Sequence, residues 1–224
     1  TIFISEFSVY YRIFSGLVTI FLLWLIYKSD ARQGLLAYVL GASLFIIIWL
    51  FGKKRKLGVA AASGGAFVFI FATLGMLQIG PLENFLYKQS VSVRGYYWRA
   101  GIEMLKQNPF FGIGMDRYGY YFKQYREVNY PLTFGYDISS SNAHNTFIQL
   151  FATGGIFLGI SYLALNFYIA KQAISALRKA QGNDKFLLAG IFSAWVAFHA
   201  QSLVSIDNIG ISIWGWLLGG AIIG

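Results

Sequence analysis

Long apolar runs separated by short polar breaks dominate the sequence, and they predict an all-α membrane protein. Six runs have, or come close to, the roughly 20 residues that a helix needs to cross a bilayer. They cover residues 13–27, 34–51, 57–79, 146–170, 186–204 and the stretch from 209 onward. This pattern predicts a polytopic bundle of transmembrane helices, with residues 1–224 as a single membrane domain. Because the chain starts at Thr1 and stops inside an apolar run, we expect further helices in a longer protein.

One long polar and aromatic stretch, residues 80–145, interrupts this pattern between the third and fourth runs. Within it, a stripe at spacings of four, four and three predicts an amphipathic helix over residues 93–107, with the stripe facing inward. The stripe consists of Arg94, Trp98, Ile102 and Leu105. The helix should end near Asn108, because Pro109 disfavours helical geometry in the residue before it. We therefore expect a large outer-face loop that contains short amphipathic helices.

The start of the fourth run has two further features. Asn142 fits the N-cap position of a helix, which places His144 in the first helical turn. Gly155 and Gly159 are spaced as GxxxG, a pattern typical of close packing between membrane helices. We therefore expect His144 at a helix N-terminus at the edge of the membrane.

The positive charge lies mostly in loops, and it predicts the orientation of the helices. The net charge is +9, with 12% charged residues against roughly 25% in a soluble domain. The basic clusters at residues 53–56 and 171–185 are separated by two predicted spans, and the positive-inside rule places both in the cytoplasm. Residues 28–33, 80–145 and 205–208 then face the periplasm or exterior. Cations placed in this way set orientation or meet anionic headgroups, so we expect no nucleic-acid partner.

The residue types present exclude several kinds of site. The chain has no cysteine, two distant histidines and no clustered carboxylates, so we expect neither a disulfide framework nor a catalytic metal. No Asp-x-Asp pair exists to hold the metal of a nucleotide-sugar transferase. Gly112, Gly114 and Gly119 do not match the dinucleotide fingerprint, so we predict no cofactor. What remains is a site of arginines, aromatic residues and one histidine, suited to an anionic, lipid-linked substrate.

Each candidate side chain has both a functional and a structural interpretation. Arg94 can bind phosphate oxygens through its planar guanidinium, or extend to lipid headgroups. Arg99 can pair with Glu103 one turn later, and Arg32 stands at a membrane boundary, where arginine commonly serves as an anchor. The dipole at a helix N-terminus keeps His144 neutral, so its imidazole is either a general base for a sugar hydroxyl or a local hydrogen-bond partner.

Three motifs, in their order and spacing, resemble the O-antigen ligase/polymerase superfamily of bacterial membrane proteins. They are Arg94-Gly-Tyr-Tyr-Trp98-Arg-Ala-Gly, Asn108-Pro109-Phe-Phe-Gly112-Ile-Gly114, and Ala143-His144-Asn145-Thr-Phe-Ile-Gln-Leu with Gly154-Gly155 after it. The resemblance is centred on residues 94–159. It implies a GT-C-like glycosyltransferase embedded in the bacterial inner membrane and active, with inversion, on the periplasmic or outer face.

The resemblance also implies roles for individual residues. Arg94 would bind the diphosphate of an undecaprenyl-diphosphate-linked oligosaccharide, and His144 would lie beside the acceptor hydroxyl. These are the two predicted catalytic residues. Substrate contacts are predicted for residues in or beside the motifs and at two outer-face breaks, namely Arg32, Trp98, Arg99, Asn145 and Asp207.

We therefore predict a metal-independent glycosyltransferase that moves an oligosaccharide from a lipid diphosphate to a glycan, lipid-core or protein acceptor. It would act as a ligase or polymerase of O-antigen, lipopolysaccharide or another cell-envelope polysaccharide. Two other classes remain open: a transporter or flippase for an anionic lipid-linked solute, and a non-catalytic membrane scaffold whose loop binds a partner. A transporter needs charged residues at the midplane of its spans, and the apolar runs contain almost none apart from His199.

Overall fold

The computed structural model describes residues 9–29, 32–76, 89–206 and 208–224, and every regular element within them is an α-helix. The helices are α1 (Val9–Lys28), α2 (Arg32–Lys53), α3 (Arg55–Met76), α4 (Gln89–Gln107), α5 (Tyr118–Tyr125), α6 (Asn129–Phe134), α7 (Thr146–Lys179), α8 (Gly182–Ser202) and α9 (Ile209–Ile223). The predicted all-α fold is confirmed for this part of the chain. The six apolar runs coincide with α1, α2, α3, α7, α8 and α9, and the polar stretch supplies α4 to α6.

Two helices of the described residues are long and apolar enough to cross a membrane. They lie at Gln33–Lys53 and Thr146–Lys179, and shorter apolar helices lie at Ile13–Lys28 and Ile209–Ile223. Large apolar side chains are exposed on these helices; Phe167 on α7, for example, is 73% exposed. Exposed apolar surface of this kind is expected where a helix contacts lipid. The number of spans in the complete bundle stays a prediction.

The chain divides into two compact units, the first of which comprises Thr1–Gly58, Tyr168–Gln201 and Gly210–Gly224. The core of the first unit is formed by α7, α8 and α9, and apolar residues of α2 pack against it. Its buried residues are Ile169, Ala173, Leu177, Ala189, Phe192, Trp195 and Ile222. The α2 and α8 backbones approach closely, because a Cβ atom added at Gly41 would lie only 2.9 Å from the Cβ of Ala197.

The end of α7 differs from the sequence prediction. The sequence predicts a basic linker over residues 171–185, but α7 continues to Lys179, and only Ala180 and Gln181 separate it from α8. Ala173 and Leu177, four residues apart on one helical face, are buried in the core of the first unit. Burial of this face stabilises the helix despite the polar residues between them.

The second unit comprises Val59–Phe167 and Ser202–Ile209, and its core is aromatic. Tyr118, Phe122 and Tyr130, from α5 and α6, are completely buried beneath α4 and the start of α7. The rings of Phe122 and Tyr130 meet edge to face with their centroids 5.2 Å apart, a favourable geometry for aromatic pairs. The described part of the predicted loop is therefore a folded body with its own core.

A break in α7 at Gly155 joins that helix to the turn that follows α4. Gly155 has φ 72° and ψ −171°, a backbone conformation open essentially only to glycine. The N–H groups of Ile113 and Gly114 donate to two α7 carbonyls, those of Ala152 and Thr153, each at 3.0 Å. The N–H of Ile156 in turn donates to the carbonyl of Pro109 at 2.7 Å. We call this arrangement, residues 109–114 bonded into α7 at residues 152–156, the Gly155 joint.

The Gly155 joint overturns one sequence interpretation and shortens the span. Gly155 and Gly159 are not a helix-packing pair: Gly155 receives the Phe110 backbone, and Gly159 lies beneath the Phe151 ring of its own helix. An unbroken helix of 34 residues would be about 51 Å long, well beyond the roughly 30 Å of a hydrocarbon core. The part that follows the break, residues 156–179, measures about 36 Å.

We predict that Gly155→Ala lowers the stability of the full-length protein by roughly 2–5 kcal/mol. Alanine disfavours the positive φ, and its Cβ would collide with the Phe110 carbonyl, which cannot retreat without breaking the joint. Thermal unfolding of the purified protein in detergent measures the change. Gly190→Ala is the matched control, because no atom lies within 4 Å of a Cβ placed there. Equal stability of the two variants would contradict the described role of the joint.

Candidate active site

The helix α4 forms one side of the site, and its buried face lies beside the predicted stripe. Ala100 and Met104 are 1% and 0% exposed, whereas Ile102, which the stripe places inward, is 43% exposed. The reason is the small size of Gly101, which lets α7 approach this face of α4. A Cβ added at Gly101 would lie only 2.7 Å from Ile148 of α7. Close contact between the two helices therefore decides which face is buried. Arg94, at the edge of that face, is half-buried.

The segment before α7 holds His144 by hydrogen bonds from nearby side chains. The Asn142 side-chain oxygen accepts from the His144 N–H at 3.0 Å, and the Ser140 hydroxyl donates to the Asn142 carbonyl at 2.8 Å. Gln149, inside α7, accepts from the N–H of Ala143 at 2.8 Å. These bonds stabilise His144 at φ 50°, in the left-handed region that few residues other than glycine adopt.

The N-cap of α7 is Asn145, and the prediction of Asn142 for this role is wrong. The Asn145 side-chain oxygen accepts from the N–H of Ile148 at 3.0 Å, and the helix begins at Thr146. The Asn142 side chain instead bonds to His144 and turns the chain before the helix starts. His144 therefore lies just ahead of α7 and not in its first turn.

Tyr97 and His144 are in contact where α4 faces this segment, and Arg94 lies within electrostatic range of both. The rings of Tyr97 and His144 are stacked, with their centroids 5.4 Å apart and 26° between their planes. Arg94 precedes Tyr97 by three residues, so the two side chains lie on one face of α4. The Arg94 charge is close enough to His144 to disfavour protonation of the imidazole. The fold thus brings together the two residues predicted to be catalytic.

The electrostatics of this group favour a neutral imidazole beside a charged guanidinium. Burial, and secondly the charge of Arg94, lower the pKa of His144 below its ordinary value of 6.5. The direction agrees with the sequence prediction, and burial is the largest cause. Burial also lowers the pKa of Arg94, and Tyr97 opposes that effect. Arginine nevertheless stays charged in proteins, so the site combines a proton acceptor with an anion-binding group.

Three residues that shape the site are absent from the predicted set: Tyr97, Tyr118 and Gln149. Tyr97 stacks on His144, and the fully buried Tyr118 hydroxyl donates to the Tyr97 carbonyl at 2.5 Å. Burial raises the pKa of Tyr118, which keeps this donor protonated. Tyr97 and Gln149 lie within the motifs that carry the resemblance, so their positions in those motifs could have identified them as site residues. Nothing in the sequence distinguishes Tyr118 among 15 tyrosines.

Arg99 has a different partner from the one expected. It forms an ion pair with Glu127 and lies over the ring of Tyr96, 4.6 Å from its centroid. Glu103, the expected partner, is paired with Lys106 at 3.3 Å. Side chains of the Arg99 pair are 52% and 42% exposed, so the pair contributes at most about 1 kcal/mol. Its substrate contact stays a prediction.

Arg117 and Arg126 have contacts that tie the loop to its aromatic core. Arg126 donates to the carbonyls of Ile138 and Tyr136, at 3.0 and 3.2 Å. Arg117 lies over the Tyr121 ring, 5.9 Å from its centroid. These contacts assign both arginines a structural role in the second unit.

Trp98 and Asn145 lie beside the predicted catalytic residues in sequence. The indole N–H of Trp98 is buried and has no acceptor among the described residues. Asn145 is 8% exposed, and its side-chain oxygen caps α7. Substrate contacts of these two residues stay predictions.

The two remaining predicted contacts are Arg32 and Asp207. Arg32 is the first residue of α2, in the first unit, and its side chain is not among those described. Asp207 lies outside the described residues. Within the described ranges, no three His, Asp or Glu side chains gather into a metal-binding group. Independence from metal stays a prediction.

The fold and the site define a class: a helical membrane protein with a folded polar region in which arginine and histidine meet. The chain belongs to the O-antigen ligase family, whose profile matches residues 17–163. The resemblance carried by the three motifs is thereby confirmed. Membership of this family indicates a bacterial membrane protein.

The chain is also similar to the teichuronic acid biosynthesis protein TuaE of Bacillus subtilis (strain 168). The two sequences are 22% identical over 203 residues, which cover 84% of this chain. The match covers 40% of TuaE, so the chain spans about two fifths of the length of that relative. No solved structure gives a significant match.

We predict that Arg94→Gln raises the pKa of His144. The substitution removes a positive charge that disfavours the imidazolium, so the imidazole takes up its proton at higher pH. Nuclear magnetic resonance titration of histidine-labelled, full-length protein measures the change, with His199 as a second signal. Lys106→Gln, the same loss of charge on the same helix, is the control and should leave the titration in place. An equal shift in both variants would show a general effect of net charge.

Proposed function

We propose that this chain carries the catalytic part of a glycosyltransferase that moves an oligosaccharide from an undecaprenyl-diphosphate carrier to an acceptor hydroxyl. The acceptor is a glycan, a lipid core or a protein. The reaction uses neither metal nor cofactor and takes place on the periplasmic or outer face of a multi-pass inner-membrane protein. Membership of the O-antigen ligase family supports this class of reaction, as does similarity to a protein named for teichuronic acid biosynthesis.

One observation carries the proposal: Arg94 and His144, 50 residues apart in sequence, lie together beside Tyr97. A guanidinium binds phosphate oxygens through a planar fork of donors. A neutral imidazole accepts a proton from a hydroxyl group. Glycosyl transfer from a diphosphate to a hydroxyl needs both functions, one at the leaving group and the other at the nucleophile.

In the proposed reaction, the acceptor oxygen forms a bond to the anomeric carbon while the bond from that carbon to the diphosphate oxygen breaks. His144 takes the hydroxyl proton on its unprotonated ring nitrogen. The electron pair of the broken bond stays on the departing diphosphate, and Arg94 stabilises the added negative charge. Attack opposite the leaving group inverts the configuration of the anomeric carbon. The hydrogen bonds of Asn142 and Gln149 keep His144 in position without reorganisation.

Further substrate contacts are proposed around this pair. Trp98, one turn after Arg94 on α4, would contact the glycan. Arg99, half-exposed, would contact the substrate while it is paired with Glu127. Asn145 would act beside His144. Arg32 and Asp207 are proposed as contacts on the grounds of resemblance alone.

The test is reconstitution of the full-length protein in liposomes with an undecaprenyl-diphosphate oligosaccharide and a panel of acceptors. His144→Ala should lower the rate of glycan transfer by roughly 10²–10⁴-fold, because the proton acceptor is lost. Arg94→Lys retains the charge but loses the donor fork, and should lower the rate by about 10²-fold or more. Transfer is measured by chromatography of the labelled glycan.

Lys106→Gln serves as the control for expression, folding and insertion, since Lys106 lies on α4 and contacts the exposed Glu103. The control should transfer glycan at nearly the normal rate. Full-length product at the normal rate from His144→Ala, at normal protein abundance, would remove His144 from the mechanism. Uptake of the lipid-linked glycan without transfer, in every variant, would favour a transporter instead.

A separate comparison tests Arg99. If Arg99 contacts the substrate, Arg99→Gln should lower the transfer rate severalfold, and less than substitution of Arg94, because Glu127 already compensates part of its charge. Glu127→Gln should then leave the rate nearly unchanged. Equal losses in both variants would mean that Arg99 acts only by holding the loop against α4.

A further inference from the structure

The first unit contains a cavity whose lining includes none of the residues of the proposed reaction. It has a volume of about 340 Å³, within the range of small-ligand sites. The end of α2, the Ala180–Gly182 turn and the start of α8 line it. All the lining residues belong to the first unit, so the cavity is defined within one compact body.

The walls of the cavity combine an apolar interior with a basic rim. The side chains of Phe45, Ile48 and Phe186 form the apolar part, and the rings of Phe45 and Phe186 are 6.5 Å apart. Lys53 and Lys185 supply the charge. The Lys53 ammonium lies over the Trp49 ring, 5.7 Å from its centroid. Neither lysine forms an ion pair with an acidic side chain in the described ranges.

The surrounding sequence strengthens the positive field at this end of the unit. Residues 53–56 are all cationic, and residues 178–185 add Arg178, Lys179 and Lys185 against a single acid, Asp184. Seven cations and one acid leave a local net charge of +6. Such clusters attract anionic lipid headgroups, each lysine or arginine near the surface adding about 1 kcal/mol.

The cavity also lies where a membrane surface is expected. The two helices long and apolar enough to cross a membrane end at Lys53 and Lys179, and residues at or just after those ends line the cavity. Apolar walls toward the span and lysines at its end match the two parts of a phospholipid, acyl chain and phosphate. The aromatic walls would not stabilise a water-soluble anion that lacks acyl chains.

We propose that this cavity binds an anionic phospholipid, with Lys53 and Lys185 contacting the phosphate and Phe45, Ile48 and Phe186 contacting the upper acyl chains. The bound lipid fixes α2 against the turn between α7 and α8. This lipid is a structural ligand, chemically distinct from the glycan carrier, and the inference stands independently of glycosyl transfer.

The test is native mass spectrometry of full-length protein in a zwitterionic detergent, titrated with phosphatidylglycerol. The double substitution Lys53→Gln and Lys185→Gln should weaken binding roughly 25-fold, about fivefold for each lysine. The matched control is Lys28→Gln with Lys171→Gln, which removes the same charge from the same unit at exposed positions that neither line the cavity nor lie within residues 53–56 or 178–185. The control should change affinity by no more than about twofold.

Two further arms distinguish the sources of the signal. Phosphatidylcholine with the same acyl chains should bind much more weakly, and glycerol phosphate, which lacks acyl chains, should not compete with phosphatidylglycerol. Equal weakening in the two double variants, equal binding of phosphatidylcholine, or full competition by glycerol phosphate would each overturn the proposal. So would unchanged binding in the Lys53/Lys185 variant, the result expected if another part of the longer chain fills the cavity. Unfolding temperatures measured without added lipid confirm that both variants are folded.

Discussion

The active region of this protein depends on the exchange of backbone hydrogen bonds at the Gly155 joint. A helix that breaks inside an apolar segment leaves carbonyl and N–H groups without partners, and in a membrane each unsatisfied group costs several kcal/mol. Here the turn after α4 supplies those partners, because Ile113 and Gly114 donate to α7 and Pro109 accepts from Ile156. The break is tolerable only with the turn in place. The two parts of the chain are therefore obliged to fold together.

This coupling explains how residues of α4 come to lie beside the segment that precedes α7. The joint fixes the C-terminal end of α4 against α7, and the small Gly101 lets the two helices touch along the preceding turns. Arg94 and Tyr97 then lie a fixed distance along α4, and His144 lies just before α7. The aromatic core supports the arrangement from beneath, since the Tyr118 hydroxyl bonds to the Tyr97 carbonyl. Rigid helices, and not the loop alone, determine the separation of guanidinium and imidazole.

Apolar run length predicted the helices well, because burial and lipid contact both follow hydrophobicity. Motif order singled out Arg94 and His144, whose catalytic roles stay predictions. Sequence reasoning missed three features, each for a physical reason. Ala173 and Leu177 extend α7 by tertiary burial, which local polarity does not reveal. The Asn142 side chain accepts from the His144 N–H and not from a helical N–H, so Asn145 serves as the N-cap of α7 instead. The partner of Arg99, Glu127, lies on another element, so helical spacing favoured Glu103.

Two independent requirements restrict the amino acid at position 144: its left-handed backbone and its proposed acid–base role. Among residues other than glycine, asparagine, aspartate and histidine adopt a positive φ most readily, whereas β-branched and bulky side chains resist it. Of these tolerant residues, only histidine has an ordinary pKa near neutrality. Backbone geometry and acid–base chemistry thus select the same amino acid. A replacement by asparagine or aspartate would keep this backbone conformation but lose the imidazole. A different proton acceptor with an ordinary pKa near neutrality would require a different backbone conformation at this position.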